Sequence, residues 1–424
     1  MPLWKVAFTY AWGRRWPALL TILCVALGVS LITCVTTLRA ESQKGFEAFS
    51  DGFDLLVAAK GDPAQVVLST LFYLDVPVGS LSHDAYATLK DDSRVRNAYP
   101  VAIGDSYKGY RIVGTIPRYI LGDSSLEGNP ALSGLRIAEG RTFVRPLEVV
   151  LGARVAEEAG LAIGSRFVST HGFDTELGHQ HDVSFEVTGV LAKTSGPADV
   201  AIFTMLESVW MACGSWALEQ NDHEHAMKGH SHEHPPNASP ATSSAITAIL
   251  LDLKPGQSAE KLAKEINLGT TAMAVQPRLE MERFYVKEMA ALRSVLLSAG
   301  QVIVLISILS LATILYLSVL QRKRDLAIMR ALGASTSDVF GLVMLEGIGL
   351  VVSGTIIGAA LGHVLTWFTG IQLAAHAGLT INPWRVAASE LAAYPLVLVC
   401  GIISGVIPAV QAYKRDVATD LVEE

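Results

Sequence analysis

The residues best suited to chemistry lie in one short tract, Asn221-Asp-His-Glu-His-Ala-Met-Lys-Gly-His-Ser-His-Glu-His-Pro-Pro236. His223, His225, His230, His232 and His234 are interleaved there with Asp222, Glu224 and Glu233. Neutral imidazoles are the commonest protein ligands for Zn²⁺, Ni²⁺ and Cu²⁺, and short His-rich tracts have the composition of metal-binding segments. H-x-H spacing bounded by Gly and Pro wraps a cation without a preformed site, so modest affinity is expected and the ion is left open, with Zn²⁺ the first candidate. The alternative is a solvated insertion whose imidazoles only titrate. A second H-x-H pair, His179 and His181, stands beside His171, Asp174, Glu176 and Asp182. On a strand its two imidazoles would share one face.

Nothing else in the chain has the spacing of a catalytic centre. G-x-S-x-G and H-E-x-x-H are absent, and no Cys is paired with a His in a recognisable pattern. A catalytic zinc needs ligands on rigid elements with one position open, which a Gly- and Pro-bounded tract does not supply. A non-catalytic chain is expected. Its net charge of −7 argues against a nucleic-acid partner.

The second distinctive segment is basic and amphipathic, Gln321-Arg-Lys-Arg-Asp-Leu-Ala-Ile-Met-Arg-Ala-Leu-Gly-Ala-Ser335. Its apolar residues Leu326, Met329 and Leu332 recur at helical spacing among Arg322, Arg324, Asp325 and Arg330, with Gly333 behind them. That pattern suits a short helix docking on something in the cytosol.

The elements that must position it are long apolar runs. Pro17 to Leu38 carries no charge over 22 residues and Val295 to Leu320 none over 26. Each exceeds the roughly 20 residues that a helix needs to cross the hydrocarbon core. A third run, about 340–368, contains Glu346, and a fourth, about 391–413, contains Pro395 and Pro408, which membrane helices tolerate. Glu346 is read as reaching the interface or the basic helix rather than as an ion carrier. Half of all residues are apolar and 17% charged, in keeping with a membrane protein. The first run is longer than a signal-peptide core, so a retained helix is expected.

Lys5, Arg14 and Arg15 precede the first run, the Arg322 cluster comes after the second, and Lys414 and Arg415 after the fourth. Both termini are therefore expected in the cytosol, with residues from about 39 to 287 outside it. This insertion is long enough for its own core. Cys24, Cys34 and Cys400 fall within the runs, leaving Cys213 alone in the insertion without a disulfide partner. Strands are expected at 54–59, 110–114, 148–151, 183–190, 200–203 and 246–251, and helices at 83–90, 153–159 and 259–267. The fold class is an α-helical membrane protein with four transmembrane helices and a large α+β extracytoplasmic domain between helices 1 and 2. Residues 277–289 read as a helical stalk continuing into the second span. The apolar stretch from Val66 to Leu74 would favour a lipid or lipoprotein client if exposed, and is core if buried.

In the third run Gly354, Gly358 and Gly362 have the small-xxx-small spacing that lets two helix backbones approach. The partner is either a second copy in a homodimer or another helix of the same subunit.

The order of span, large domain and three spans, the 322–334 motif, Glu346, and Pro408-Ala-Val-Gln-Ala-Tyr-Lys-Arg-Asp-Val-Ala418 together resemble the FtsX, MacB and LolC/LolE permeases. Gly140-Arg-Thr-Phe143, Glu148 to Gly152, Gly160 to Ser165 and Phe185 to Leu191 are similar to the MacB periplasmic core. The resemblance implies an ABC transporter permease of the mechanotransmission type in a bacterial inner membrane, working as a dimer with a cytosolic P-loop ATPase and a periplasmic or outer-membrane partner. It also implies that residues 321–335 are the ATPase-coupling helix. Unlike MacB, this chain has no G-x-x-x-x-G-K-[ST], so ATP and Mg²⁺ would bind a separate subunit. The divisions expected are 1–40, a periplasmic domain 41–287 with an inner part at about 117–240, and a membrane domain 288–424. Export or extraction of a substrate, with a link to metal homeostasis, is the first reading. An FtsX-like relay that activates a periplasmic partner without transport is the second.

Overall fold

The computed structural model describes residues 15–122, 135–172, 180–212 and 245–414. Helix α1 (Arg15–Ser50) leads into β1 (Leu55–Ala59), α2 (Pro63–Leu71) and α3 (His83–Lys90). Then come β2 (Val95–Tyr107), β3 (Tyr110–Thr115), α4 (Pro117–Leu121), β4 (Ile137–Gly140), β5 (Glu148–Leu151) and α5 (Ala153–Ala159). Next are β6 (Arg166–His171), β7 (Gln180–Leu191), β8 (Ala201–Met205), β9 (Ala248–Leu253), α6 (Ala259–Leu268) and β10 (Ala272–Val275). The last described elements are α7 (Pro277–Gln321), α8 (Lys323–Ala331), α9 (Thr336–Ala377) and α10 (Ala388–Lys414). Helices α1, α7, α9 and α10 are long and apolar enough to cross a membrane. The chain forms two compact units: an α/β unit of residues 42–288 with 371–380, and a helical unit holding the remainder.

In the α/β unit the strands run in the order β10-β1-β9-β2-β3-β8-β5-β7-β4, with β6 pairing β2 and β7. The 13-residue β2 organises the sheet. Its first half pairs with β9 up to Val101, and from Ala102 onward it pairs with β3, with a register shift between Ile103 and Asp105, and then also with β6. Two cores lie along the two halves. One gathers Leu55, Val57, Tyr86, Val95, Ile249, Leu251 and Leu262. The other gathers Ala102, Ile112, Val149, Leu151, Phe167, Phe185 and Ile202. Strand β3 in turn pairs in parallel with β8.

Two segments go beyond what the sequence alone settled. Residues 63–71 form helix α2, capped by the Asp62 carboxylate accepting from the Gln65 N–H at 2.9 Å. Val66, Val67, Leu71, Phe72 and Tyr73 are buried, so this stretch is core and offers no surface to a lipid client. Helix α9 runs on to Ala377, nine residues past the end of the apolar run at 368. Hydropathy marks only the length that crosses lipid, whereas Leu373, Ala374 and Ala375 are good helix formers that continue it.

In the helical unit Val25 and Val29 of α1, Val304, Leu311 and Leu315 of α7, Leu350 and Val351 of α9, and Val397 of α10 share one core. Pro395 and Pro408 lie inside an unbroken α10.

Candidate functional site

The segment joining α7 to α9 is specified residue by residue. Gly333 has φ +104, a left-handed conformation that glycine adopts without steric cost. Beyond it the Ala334 N–H reaches the Met329 carbonyl at 3.0 Å, closing a Schellman motif on α8. Ser335 and Asp338 then cap each other. The Ser335 N–H donates to the Asp338 carboxylate at 2.8 Å, and the Asp338 N–H donates to the Ser335 hydroxyl at 3.2 Å. This is a capping box at the start of α9. A helix stopped and restarted within four residues has little freedom relative to its neighbours.

Arg322, at the N-cap of α8, reaches Glu346 of α9 with two guanidinium nitrogens, at 3.1 and 3.5 Å. Their side chains are only 12% and 7% exposed, so the pair is shielded from water. Removing one partner of such a pair leaves an uncompensated charge. Glu346 therefore ties α9 to the start of the basic helix.

The faces of α8 differ from the expected docking surface. Leu326 and Ala327 are buried, and Met329 packs against the same core as Val339, Leu342 and Val343. The apolar residues that face outward are Ile328, 44% exposed, and Leu332, 84% exposed. They lie at i and i+4 on one face, with Arg324 and Asp325 also exposed nearby. Of the three apolar residues expected to dock, Leu332 is exposed, Met329 half-buried and Leu326 buried. Helical periodicity finds the apolar positions but cannot say which of two apolar faces the chain covers itself.

The glycine stripe of α9 is also used within the chain. A Cβ on Gly354 would lie 2.7 Å from Val25, one on Gly358 2.7 Å from the Ala26 carbonyl, and one on Gly362 2.5 Å from Thr33. All three face α1, so the spacing that suggested a homodimer contact serves packing of two helices in one subunit.

The tract at 221–236, His179, the side chain of His181 and Cys213 lie outside the described residues. His171 is described, and its Nδ1 stands 3.4 Å from the buried Asp105 carboxylate, which also accepts from Ser169 at 3.1 Å. This neighbour raises the His171 pKa. Among the described residues no group of three His, Cys, Asp or Glu side chains converges as metal ligands would. Sequence reasoning passed over His363 and Glu390, which the fold brings to 3.6 Å from one another. An ionisable residue near the end of one apolar run and another just before the next was the available signal.

Residues 18–268 match the model of the MacB-like periplasmic core domain, and residues 297–417 that of the FtsX-like permease C-terminal domain. The chain belongs to the MacB/FtsX-like ABC transporter permeases. A permease protein of Mycobacterium tuberculosis is 26% identical over 99% of this chain and 45% of its own length. One of Methanocaldococcus jannaschii is 26% identical over 38% of this chain and 42% of its own. The chain thus spans less than half the length of these curated relatives. Among solved structures, the periplasmic region of MacB from Actinobacillus actinomycetemcomitans aligns over 55% of this chain and 94% of its own, at 13% identity and TM-score 0.31. The extracellular domain of the Gram-positive transporter YknZ aligns over 52% and 98%, at 10% identity and TM-score 0.30. The family assignment rests on the two domain models, and it makes this permease a membrane-spanning component of an ABC transporter.

Proposed function

We propose that this permease couples ATP hydrolysis on a separate cytosolic ATPase to movement of its α/β domain, with α8 as the docking element. The observation that carries this reading is the outward pair Ile328 and Leu332, on a helix locked to its neighbours by a Schellman motif, a capping box and the Arg322–Glu346 pair. A rigid mount transmits displacement of α8 to α7 and α9, and α7 continues without a break from Pro277 in the α/β unit to Gln321. The positive residues at the same ends of the spans support a cytosolic position for α8 and both termini. The family expectation of a permease dimer would then use a surface other than the glycine stripe.

The test is co-purification of the tagged chain in mild detergent, with bound proteins identified by mass spectrometry. Wild type should retain a P-loop ATPase, and Ile328→Asp with Leu332→Asp should lose it while keeping wild-type thermal stability. With Ile328 44% and Leu332 84% exposed, docking gains about 2–4 kcal/mol from the area still open, so loss of both lowers affinity by about thirtyfold or more. An ATPase that stays bound to the double variant would refute α8 as the docking element.

A further inference from the structure

A buried polar cluster joins α1, α9 and α10 at the ends of these helices remote from α8. Its centre is the Glu390 carboxylate in the first turn of α10, which is fully buried. Three donors converge on it. The Thr37 hydroxyl of α1 and the Ala387 N–H, the latter at 3.2 Å, donate to Oε1, and the Tyr394 hydroxyl donates to Oε2 at 3.1 Å. Tyr394 is held in turn by Thr33 of α1 at 3.0 Å. The fourth neighbour is His363 of α9, whose Nε2 lies 3.6 Å from Oε2.

The other side of the ring decides the tautomer. His363 Nδ1 is 2.7 Å from the Pro383 carbonyl. A carbonyl only accepts, so Nδ1 carries hydrogen and donates. In a neutral imidazole the Nε2 facing Glu390 would then be a bare lone pair. Two acceptors facing each other in a buried site, with no donor between them, are unfavourable. One additional proton between Nε2 and Oε2 would satisfy both.

We propose that His363 and Glu390 form a proton-binding site, and that proton occupancy latches α9 to α10 and, through Thr37 and Thr33, to α1. Binding makes an N–H at Nε2 and turns the imidazole into an imidazolium paired with the carboxylate. Release leaves the lone pair against Glu390, and the ring or the carboxylate must withdraw. The other titratable groups around the latch are Tyr394 on α10 itself, Cys34 on the α1 face toward Thr366 and Thr369 of α9, and the Glu41–Arg385 pair, 3.6 Å apart, where α1 meets the segment before α10. Glu41 and Arg385 are oppositely charged partners. The latch lies where α1 and α9 leave the helical unit, so it bears on how firmly that end of the bundle is joined.

The experiment is reversible unfolding of the full-length chain in lipid nanodiscs between about pH 5 and about pH 8, the range in which imidazoles change charge. Comparing wild type with variants cancels the contributions of the other histidines. Relative to Glu390→Gln, the wild-type equilibrium should shift toward the unfolded state by up to about tenfold per pH unit as pH rises, the limit for one linked proton. His363→Gln should erase the same difference, and the double variant should erase no more than either alone. Thr37→Val, which removes a donor but neither titratable group, should keep it. An identical pH slope in wild type and both single variants would overturn the proposal, as would loss of the slope in Thr37→Val. If Glu390→Gln does not assemble, His363→Gln against Thr37→Val still decides.

Discussion

Replacing Gly358 by Ala tests the packing of α9 on α1 most directly. The added methyl would lie 2.7 Å from the Ala26 carbonyl oxygen, 2.8 Å from the Val29 Cβ and 2.9 Å from the Ala26 Cα. Ordinary carbon contacts begin several tenths of an ångström further out. Two of these three atoms are backbone, so no side-chain rotation relieves the clash and the two helices must part. Gly354 and Gly362 sit one turn away on the same face with contacts as close, so the separation propagates along the interface. Overpacking a close contact costs about 1–3 kcal/mol, and Gly358→Leu should exceed that. An internal control lies on the same helix, since a Cβ on Gly349 meets nothing within 4 Å. There the helix propensity of Ala makes Gly349→Ala neutral or stabilising by up to about 1 kcal/mol. The assay is reversible unfolding in nanodiscs or mixed micelles, with crosslinking as a separate readout of self-association. Gly358→Ala should lose stability while leaving the monomer–dimer distribution as in wild type. Equal tolerance of the two substitutions, or a change in dimer fraction alone, would refute the assignment of the stripe to α1.

The charged pairs can be tested in the same way. Arg322→Met should cost about 3–5 kcal/mol by stranding Glu346, whereas Arg322→Met with Glu346→Leu should recover most of it. Similar losses in the single and double variants, measured in the same unfolding assay, would contradict a shielded pair. In the α/β unit Arg141 holds the Glu148 carboxylate at 2.6 and 2.7 Å, with the N–H groups of Val144 and Arg145 as further donors, and lowers its pKa to about 2. That contribution is present above the usual carboxylate range and lost as pH falls toward about 2. His171 has the opposite sign, because Asp105 raises its pKa. Its contribution is full below about pH 6.5 and lost as pH rises through the raised value. Thermal unfolding should therefore show a stability maximum between these limits, with Glu148→Gln flattening the acid limb and His171→Gln the other.

Much of the architecture was legible because it depends on properties that residues carry in isolation. Four uncharged or nearly uncharged runs are long and apolar enough to cross a membrane whatever surrounds them. The strands at Glu148–Leu151 and Tyr110–Thr115 announce themselves by β-branched content, and α5 and α6 by helical spacing. The strand on which the whole sheet depends did not. Val95–Tyr107 contains Pro100 and Gly104, both of which argue against a central strand. It forms because Pro100 pairs opposite Ile249 in a buried ladder and the strand passes from β9 to β3 between Val101 and Ala102. Local preference was overruled by long-range pairing.

The sites divide in the same way. Sequence alone determined that residues 321–335 would hold a basic amphipathic helix, found at Lys323–Ala331, since charge bias and spacing are local. Only tertiary structure decided that Leu326 and Met329 turn inward while Ile328 and Leu332 face out, that the glycines of α9 are filled by α1, and that His363 meets Glu390 across 27 positions of the chain. Each of those outcomes depends on which surfaces the chain covers with itself, and a burial partner distant in sequence leaves no mark on the periodicity of the segment it covers.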